Sequence, residues 1–234
     1  MFNATAEYYD LLYSTFKDFA KEAADVAAML RRLNPACRTV LDVGCGTGEH
    51  ARRLAADSFE VGGLDLSPAF VAIAQAKHPA GDFFVADMTD FHVARRYDAI
   101  ICLFSSIGYV RTLDRVESAA RCFREHLAPG GVIVVEPWFP PGRLSTTRVF
   151  RHSGEANGVR VDRTARNEVD GRLSRLHFDY EITDDSGTRH LSEVHELGLF
   201  TTEEMLDAFR RADLAVEYDP EGLTGRGLFI ARDR

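Results

Sequence analysis

The run Val40-Leu41-Asp42-Val43-Gly44-Cys45-Gly46-Thr47-Gly48-Glu49 constrains this chain more than any other segment. An apolar, strand-forming stretch leads into glycine at every second position, and a helical stretch follows at once. Glycine is needed there because a Cβ would bar a ligand from the backbone or oppose the positive φ of a tight turn. Taken alone, such a loop also suits a ligand-free turn between a strand and a helix. Its neighbours decide between the two.

Short apolar runs alternate with helical stretches around the loop. Residues 17–33 carry Phe19, Ala23, Val26, Ala27 and Leu30 at helical spacing, and Asn34-Pro35 ends the pattern. Strand-like runs recur at residues 60–66, 82–87, 97–104 and 132–136, the last behind a Pro129-Gly130-Gly131 turn, and a helix is expected from about Leu113 to Leu127. This alternation predicts βαβ units, and near-continuous apolar runs predict parallel strands buried on both faces. Over residues 148–200 the texture changes to longer alternating segments broken by Asn157-Gly158, Asp170-Gly171 and Asp184-Asp185-Ser186-Gly187, all hairpin signals. Leu176, Phe178, Tyr180 and Ile182 would share one strand face, opposite His177, Asp179 and Glu181. The segment reads as an antiparallel insert lying over the parallel sheet. Thr201 and Glu204 form a capping-box pattern ahead of a helix, and residues 214–218 and 227–232 read as closing strands. No long linker divides the 234 residues, so one α/β domain is expected.

Composition removes several classes of function. The net charge is −8 and the basic residues are scattered, which makes nucleic acid a poor partner. No apolar run approaches the roughly 20 residues that span a bilayer, and the N-terminus lacks the regions of a signal peptide, so no membrane partner and a cytoplasmic location are expected. Cys37, Cys45, Cys102 and Cys122 fall singly, and the histidines show no close ligand spacing. Free thiols and no metal are expected.

Charge then selects the ligand. The glycine spacing is G-x-G-x-G, not the G-x-G-x-x-G of dinucleotide binders, and Asp42 stands two residues before Gly44. A carboxylate there repels pyrophosphate and attracts an ammonium. S-adenosylmethionine carries an ammonium and a sulfonium and no phosphate, so this logic favours it over a nicotinamide dinucleotide. Asp65 follows Gly48 by 17 residues (65 − 48), next to Leu66 at the end of the second strand, where a carboxylate can accept bonds from both ribose hydroxyls. It also suits a helix N-cap, a role for which Ser67 competes. Asp87 and Met88 would bring an acid and a flexible apolar chain to an adenine; alternatively Asp87 is a surface-loop carboxylate. All these positions fall at the carboxyl ends of successive strands, where open parallel sheets bind ligands.

This order, with the Leu127-Ala128-Pro129-Gly130-Gly131 turn, resembles the class I S-adenosylmethionine-dependent methyltransferases. The resemblance implies a Rossmann-like, mostly parallel seven-stranded sheet with a reversed final hairpin. It also places Asp42, Gly44, Gly46, Gly48, Asp65, Leu66, Asp87, Met88 and Phe104 at the cofactor. Further segments narrow it: Phe104-Ser105-Ser106-Ile107-Gly108-Tyr109, Val135-Glu136-Pro137-Trp138 and Gly225-Arg226-Gly227-Leu228-Phe229, with Tyr9-Asp10 and Lys17-Asp18. These are similar to the N-methyltransferases and N,N-dimethyltransferases that act on nucleotide-linked amino sugars, such as those making the dimethylamino sugars of macrolide antibiotics. The similarity covers nearly the whole chain and implies a nucleotide-linked, dTDP-type amino sugar as acceptor. Whether the chain pairs as a homodimer is left open by the sequence.

Read as residues, the same segments make chemical sense. Ser105, Ser106 and Tyr109 follow the fourth strand and would face the point of methyl transfer, unless the serines only cap a helix. Trp138 would stack on a flat ring or sit beside a cation, unless it is a core-edge aromatic. Tyr9 and Tyr109 would orient the amine, and Tyr9 equally suits a packed position in an N-terminal helix. Arg226 would grip the pyrophosphate of the acceptor with its planar fork, unless it pairs on the surface with Asp219 or Glu221. In the sugar family the position of Tyr109 is often histidine; a tyrosine weakens the claim of a general base there. Two other readings stay open: methylation of another small amine or a hydroxyl, and an S-adenosylmethionine-binding protein that transfers nothing.

Overall fold

A computed structural model describes residues 5–234. Near the start lie the short helix α1 (Tyr9–Tyr13) and α2 (Phe19–Leu33), the latter capped by the Asp18 carboxylate, which accepts from the Lys21 amide at 2.9 Å. The apolar positions read from the sequence, Phe19, Ala23, Val26, Ala27 and Leu30, are the buried stripe of α2. Strands and helices then alternate: β1 (Thr39–Val43), α3 (Glu49–Ala56), β2 (Glu60–Asp65), α4 (Pro68–Lys77), β3 (Phe83–Val85), β4 (Tyr97–Cys102), α5 (Leu113–Glu125) and β5 (Leu127–Val135). Four antiparallel strands follow, β6 (Val149–Ala156), β7 (Val159–Asp170), β8 (Leu173–Asp184) and β9 (Gly187–Gly198), before α6 (Thr202–Arg211), β10 (Leu214–Asp219) and β11 (Leu228–Asp233).

Seven strands form one sheet in the order β10-β11-β5-β4-β1-β2-β3, with only β11 antiparallel to its neighbours. Side chains of β1 alternate between two cores. Val40 packs with Val26 and Leu30 of α2 and Leu54 of α3, while Leu41 and Val43 join Phe123 of α5 and Phe209 of α6. The chain leaves β1 toward β2 on one side, and β4 lies on the other, so a crevice opens at the carboxyl end of β1. One expectation is corrected. Pro129-Gly130-Gly131 is not a turn ahead of the fifth strand but part of β5, whose pairing with β4 shifts register between Tyr97 and Ala99, with Gly130 at φ +75°.

The second sheet runs β6-β7-β8-β9 as a meander. Asn157 (φ +51°) and Gly158 (φ +77°) turn the first hairpin, as their sequence suggests. Phe178, Tyr180 and Ile182 are buried on one face of β8 while Glu181 is exposed. That face packs with Val161 and Ala165 of β7 against Tyr8, Leu12, Tyr13 and Phe19, so the N-terminal helices are clamped between the sheets. Thr201 and Glu204 form the expected capping box. No described helix is long and apolar enough to cross a membrane.

Gly48, at φ +76°, is where α3 meets α4: a Cβ there would lie 2.9 Å from Ala74 Cβ and 3.0 Å from Ala74 Cα. Left-handed strain and overpacking together should make Gly48→Ala cost roughly 2–4 kcal/mol in denaturant unfolding. An unchanged midpoint and slope would show that the two helices separate without penalty.

Candidate active site

A cavity of about 590 Å³ lies between the carboxyl ends of the parallel strands and the inner face of the second sheet, with α1 as a side wall. That size suits a small-molecule site. Tyr9, Gly44, Gly46, Asp65, Leu66, Asp87, Met88, Phe104, Ser106, Tyr109, Trp138 and Arg226 line it. Of the residues singled out from the sequence, Asp42, Gly48 and Ser105 stand behind the wall instead.

One half is glycine-lined and acidic. Gly46 (φ +54°) borders the cavity, and a Cβ added there meets nothing within 4 Å, so the backbone is open to a ligand. The Asp65 carboxylate accepts from the amides of Gly46 (3.0 Å) and Ser67 (2.9 Å), which fixes it at the wall and leaves each oxygen a second lone pair. Burial pushes its carboxyl up, against those bonds. Ser67 supplies the cap of α4, accepting from the Phe70 amide at 3.4 Å, so Asp65 is not spent on that task. Asp87 is more engaged than its sequence suggests: Oδ1 accepts from the amide and hydroxyl of Thr89, and Oδ2 pairs with Arg115 at 2.6 Å. Burial raises its carboxyl, but those partners outweigh it and hold the group below the usual range.

Asp42 is 3% exposed, and its Oδ2 has no hydrogen-bond partner among the described residues. Burial, with a smaller push from Asp65 and against the pull of His50, moves its carboxyl up to about 6. An open glycine loop, a fixed carboxylate and an orphaned buried anion behind the loop suit a ligand bearing a diol and an ammonium. S-adenosylmethionine fits that description.

The other half is aromatic and cationic. Tyr9 stacks on Tyr13 at 4.0 Å between ring centres, and Tyr13 meets Phe104 edge-on at 5.5 Å. Phe104 (φ +51°) and Ser105 (φ +64°) are consecutive non-glycine residues in the left-handed region, a strained arrangement that needs outside support. Glu136 provides it: one oxygen accepts from the Phe104 amide at 2.7 Å and the other from the Thr224 hydroxyl. Ser105 is fully buried, donates to the Pro137 carbonyl at 2.7 Å and braces the loop rather than facing a substrate. It caps no helix by its side chain either. Trp138 donates from Nε1 to the Ser174 hydroxyl at 2.8 Å. Arg226 reaches the Ser105 hydroxyl at 3.2 Å and lies among the rings of Phe104 (5.2 Å), Phe139 (5.6 Å) and Trp138 (5.8 Å). Among the described residues it forms no ion pair with Asp219 or Glu221.

Tyr13, Arg163 and His195 escaped the sequence reading. Arg163 of β7 is 4% exposed, lies 4.6 Å from the Phe178 ring and 4.8 Å from the Tyr13 ring, and holds Nε and Nη1 without hydrogen-bond partners among the described residues. His195 of β9 is buried and contacts the Tyr109 hydroxyl through Nδ1 at 3.0 Å. The signal was present in the strand alternation: both residues fall on the apolar face, where an ionisable side chain requires a reason.

Residues 40–131 match the family model of a methyltransferase domain. Over 227 residues the chain is 42% identical to the dTDP-3-amino-3,6-dideoxy-alpha-D-glucopyranose N,N-dimethyltransferase of Streptomyces fradiae, covering 96% of this chain and 89% of that one. The crystal structure of DesVI from Streptomyces venezuelae superposes with a TM-score of 0.92 at 37% identity, over 98% of both chains. The S-adenosylmethionine-bound structure of CalS10, an amino pentose methyltransferase of Micromonospora echinaspora, gives a TM-score of 0.85 at 36% identity, over 99% of this chain and 97% of that one. The chain belongs to the S-adenosylmethionine-dependent methyltransferases, in the family that holds these amino-sugar N-methyltransferases. Its cofactor is S-adenosylmethionine.

The buried charge of Asp42 generates a stability test. With a folded value near 6 against 3.8 for the free side chain, its ionisation opposes folding by about 3 kcal/mol above pH 6 and not at all below the free value. Asp42→Asn should therefore raise the melting temperature of the ligand-free protein at pH 7, lose that advantage in acid, and weaken cofactor binding measured by calorimetry. Gly46→Val should leave a folded protein with no measurable cofactor affinity; retained affinity would reduce the loop to a turn.

Proposed function

We propose that this enzyme methylates the amine of a nucleotide-linked, dTDP-type amino sugar. The observation that carries the reading is the arrangement of the acceptor half, an aromatic enclosure with Arg226 held at its wall by rings and a hydroxyl rather than by a carboxylate. The names of the relatives and of the similar structures point to the same acceptor class.

S-adenosylmethionine supplies a methyl group on a positively charged sulfur, open to in-line attack by a lone pair. An ammonium has no lone pair, so the protein must favour the free amine. The aromatic walls do this by desolvation, and the buried Arg163 guanidinium adds repulsion of the same sign. Desolvation at the cavity wall raises the hydroxyls of Tyr9 and Tyr109 well above the usual phenol range, so both stay protonated and neutral and their oxygens can accept from an amine N–H. Holding the amine in attack geometry contributes up to roughly 7–11 kcal/mol in well-oriented systems. Arg226 would meet the pyrophosphate, and Trp138 would border the same groove. The proposed compartment is the cytoplasm, with which four free, buried cysteines agree.

Incubation with S-adenosylmethionine and a panel of dTDP amino sugars, read by mass spectrometry, should show gains of one or two methyl units. Gains only on hydroxyl acceptors would replace the reading, and no gain on any acceptor would leave a binding protein. Arg226→Ala should raise KM for the nucleotide sugar ten- to a hundredfold, as expected for loss of about 1.5–3 kcal/mol of charged hydrogen bonding. Cofactor affinity should hold, and Arg226→Lys should recover only part of the loss, because a point charge lacks the fork.

A further inference from the structure

Tyr109 raises a chemical question that its partner answers. A phenol whose hydroxyl is shifted well above the usual range by its place on the cavity wall accepts a hydrogen bond from an amine but is a poor proton sink by itself. Its hydroxyl lies 3.0 Å from His195 Nδ1, and His195 Nε2 lies 3.4 Å from Glu193 Oε2, which also accepts from the Thr5 hydroxyl at 2.8 Å. Glu193 and His195 alternate on β9, so both side chains leave the same face of the second sheet, His195 registering against Leu176 and Glu193 against Phe178 of β8.

The hydrogen-bond chemistry sets a direction. A carboxylate only accepts, so Nε2 carries the proton toward Glu193 and Nδ1 is the bare nitrogen facing the Tyr109 hydroxyl. Burial raises the Glu193 carboxyl, but the His195 and Thr5 bonds outweigh it and hold the group below the usual range, so it remains an anion beside the imidazole. His195 itself is pulled below its ordinary value, first by burial and further by Arg163, against the pull of Glu193, so near pH 7 it is neutral and its Nδ1 can accept from the Tyr109 hydroxyl. The charged and titratable groups around the pair come from every packed element: Tyr9 and Tyr13 of α1, Asp65 of β2, Arg163 of β7, Tyr180 of β8 and Glu193 of β9.

Resting on the amine reading above, we infer that Tyr109, His195 and Glu193 form a proton outlet for the acceptor amine. The acceptor ammonium gives a proton to Tyr109 Oη as the phenolic proton passes to His195 Nδ1, leaving a free amine, a neutral tyrosine and an imidazolium paired with Glu193. The amine lone pair then forms the new N–C bond as the C–S bond breaks, its electrons staying on sulfur. The methylated ammonium must lose a proton before a second transfer, so the outlet acts once per methyl group. The imidazolium proton returns through Tyr109 to water when the cavity opens to solvent. Tyr109 touches the substrate; His195 and Glu193 act through it as positioning and proton-holding residues.

The test uses the wild-type chain with Tyr109→Phe, His195→Gln and the double variant, after circular dichroism and calorimetric titration with S-adenosylhomocysteine establish folding and an intact cofactor half. Wild-type kcat should fall on the acid side as His195 gains its proton. Each single variant should lose roughly a hundredfold in kcat at pH 7, the scale of general acid–base catalysis. Its acid limb should move to the alkaline side of neutrality, where solvent supplies the free amine, and the monomethylated product should accumulate. The double variant should be no worse than either single one, because both interrupt one path. A variant that fails to fold is replaced by Glu193→Gln, which keeps the packing and weakens the imidazolium, and should show the same alkaline displacement in smaller measure. Unchanged pH profiles and product ratios in folded variants overturn the outlet while the amine reading stands. A wild-type protein inactive on every amine overturns both.

Discussion

Gly44, in the loop after β1, has no side chain, and the loop after β4 packs where one would be. A Cβ at Gly44 would lie 2.7 Å from Ser106 Cβ, on the loop that follows β4, and one at Gly48 would press on Ala74 of α4. The two outer glycines therefore serve close packing between loops and helices, whereas at the middle one, Gly46, an added Cβ would meet nothing and the backbone lies open at the cavity that Gly44 also borders. The cofactor loop thereby rests directly on the loop that carries Phe104, Ser106 and Tyr109. Donor and acceptor halves of the cavity are in register because nothing but hydrogen atoms separates their walls at this point.

That closeness is maintained against local cost. Asp42 holds a charge in a buried position, Arg163 presents two buried nitrogens without hydrogen-bond partners among the described residues, and Phe104 and Ser105 adopt left-handed backbone without glycine. Each would be selected against in a structural core, and each sits at or just behind the cavity wall. The compensation is equally local. Glu136 ties the strained Phe104 amide to Thr224 of the loop before β11, and Ser105 locks to Pro137 while receiving Arg226. The end of β5, the loop after β4 and the final hairpin are thus joined by one carboxylate and one hydroxyl.

The parallel sheet was legible because its signals are local: apolar runs of strand length, glycine spacing and acids at strand ends. The antiparallel insert was legible from its turns and alternation. Asp65 and Gly46 line the cavity at the ends of their strands, where backbone geometry leaves few choices. Ser105 does not, since serine in a loop looks the same whether it faces a ligand or a neighbouring carbonyl. The sequence around Asp87 does not show Arg115, 28 residues distant along the chain and 2.6 Å away in space. His195 lay beyond reach for a further reason: its meaning depends on Tyr109, 86 residues away, and only the packing of the second sheet over the first brings them together.

The two sheets contribute to the cavity in different ways. The first sheet lines its half of the cavity with glycines and carboxylates at strand ends, elements tied to the positions of the strands. The second sheet lines the other half with side chains of all four strands, among them Phe150 and His152 of β6, so its residues can be exchanged while the register of its hydrogen bonds is kept. A histidine contributed by the loop after β4 would be anchored to the cofactor frame. A histidine on β9 that contacts a tyrosine of the loop after β4 instead puts an imidazole on the layer that closes the cavity from the other side, and there the proposed proton outlet and the shape of the acceptor half would be set by the same face.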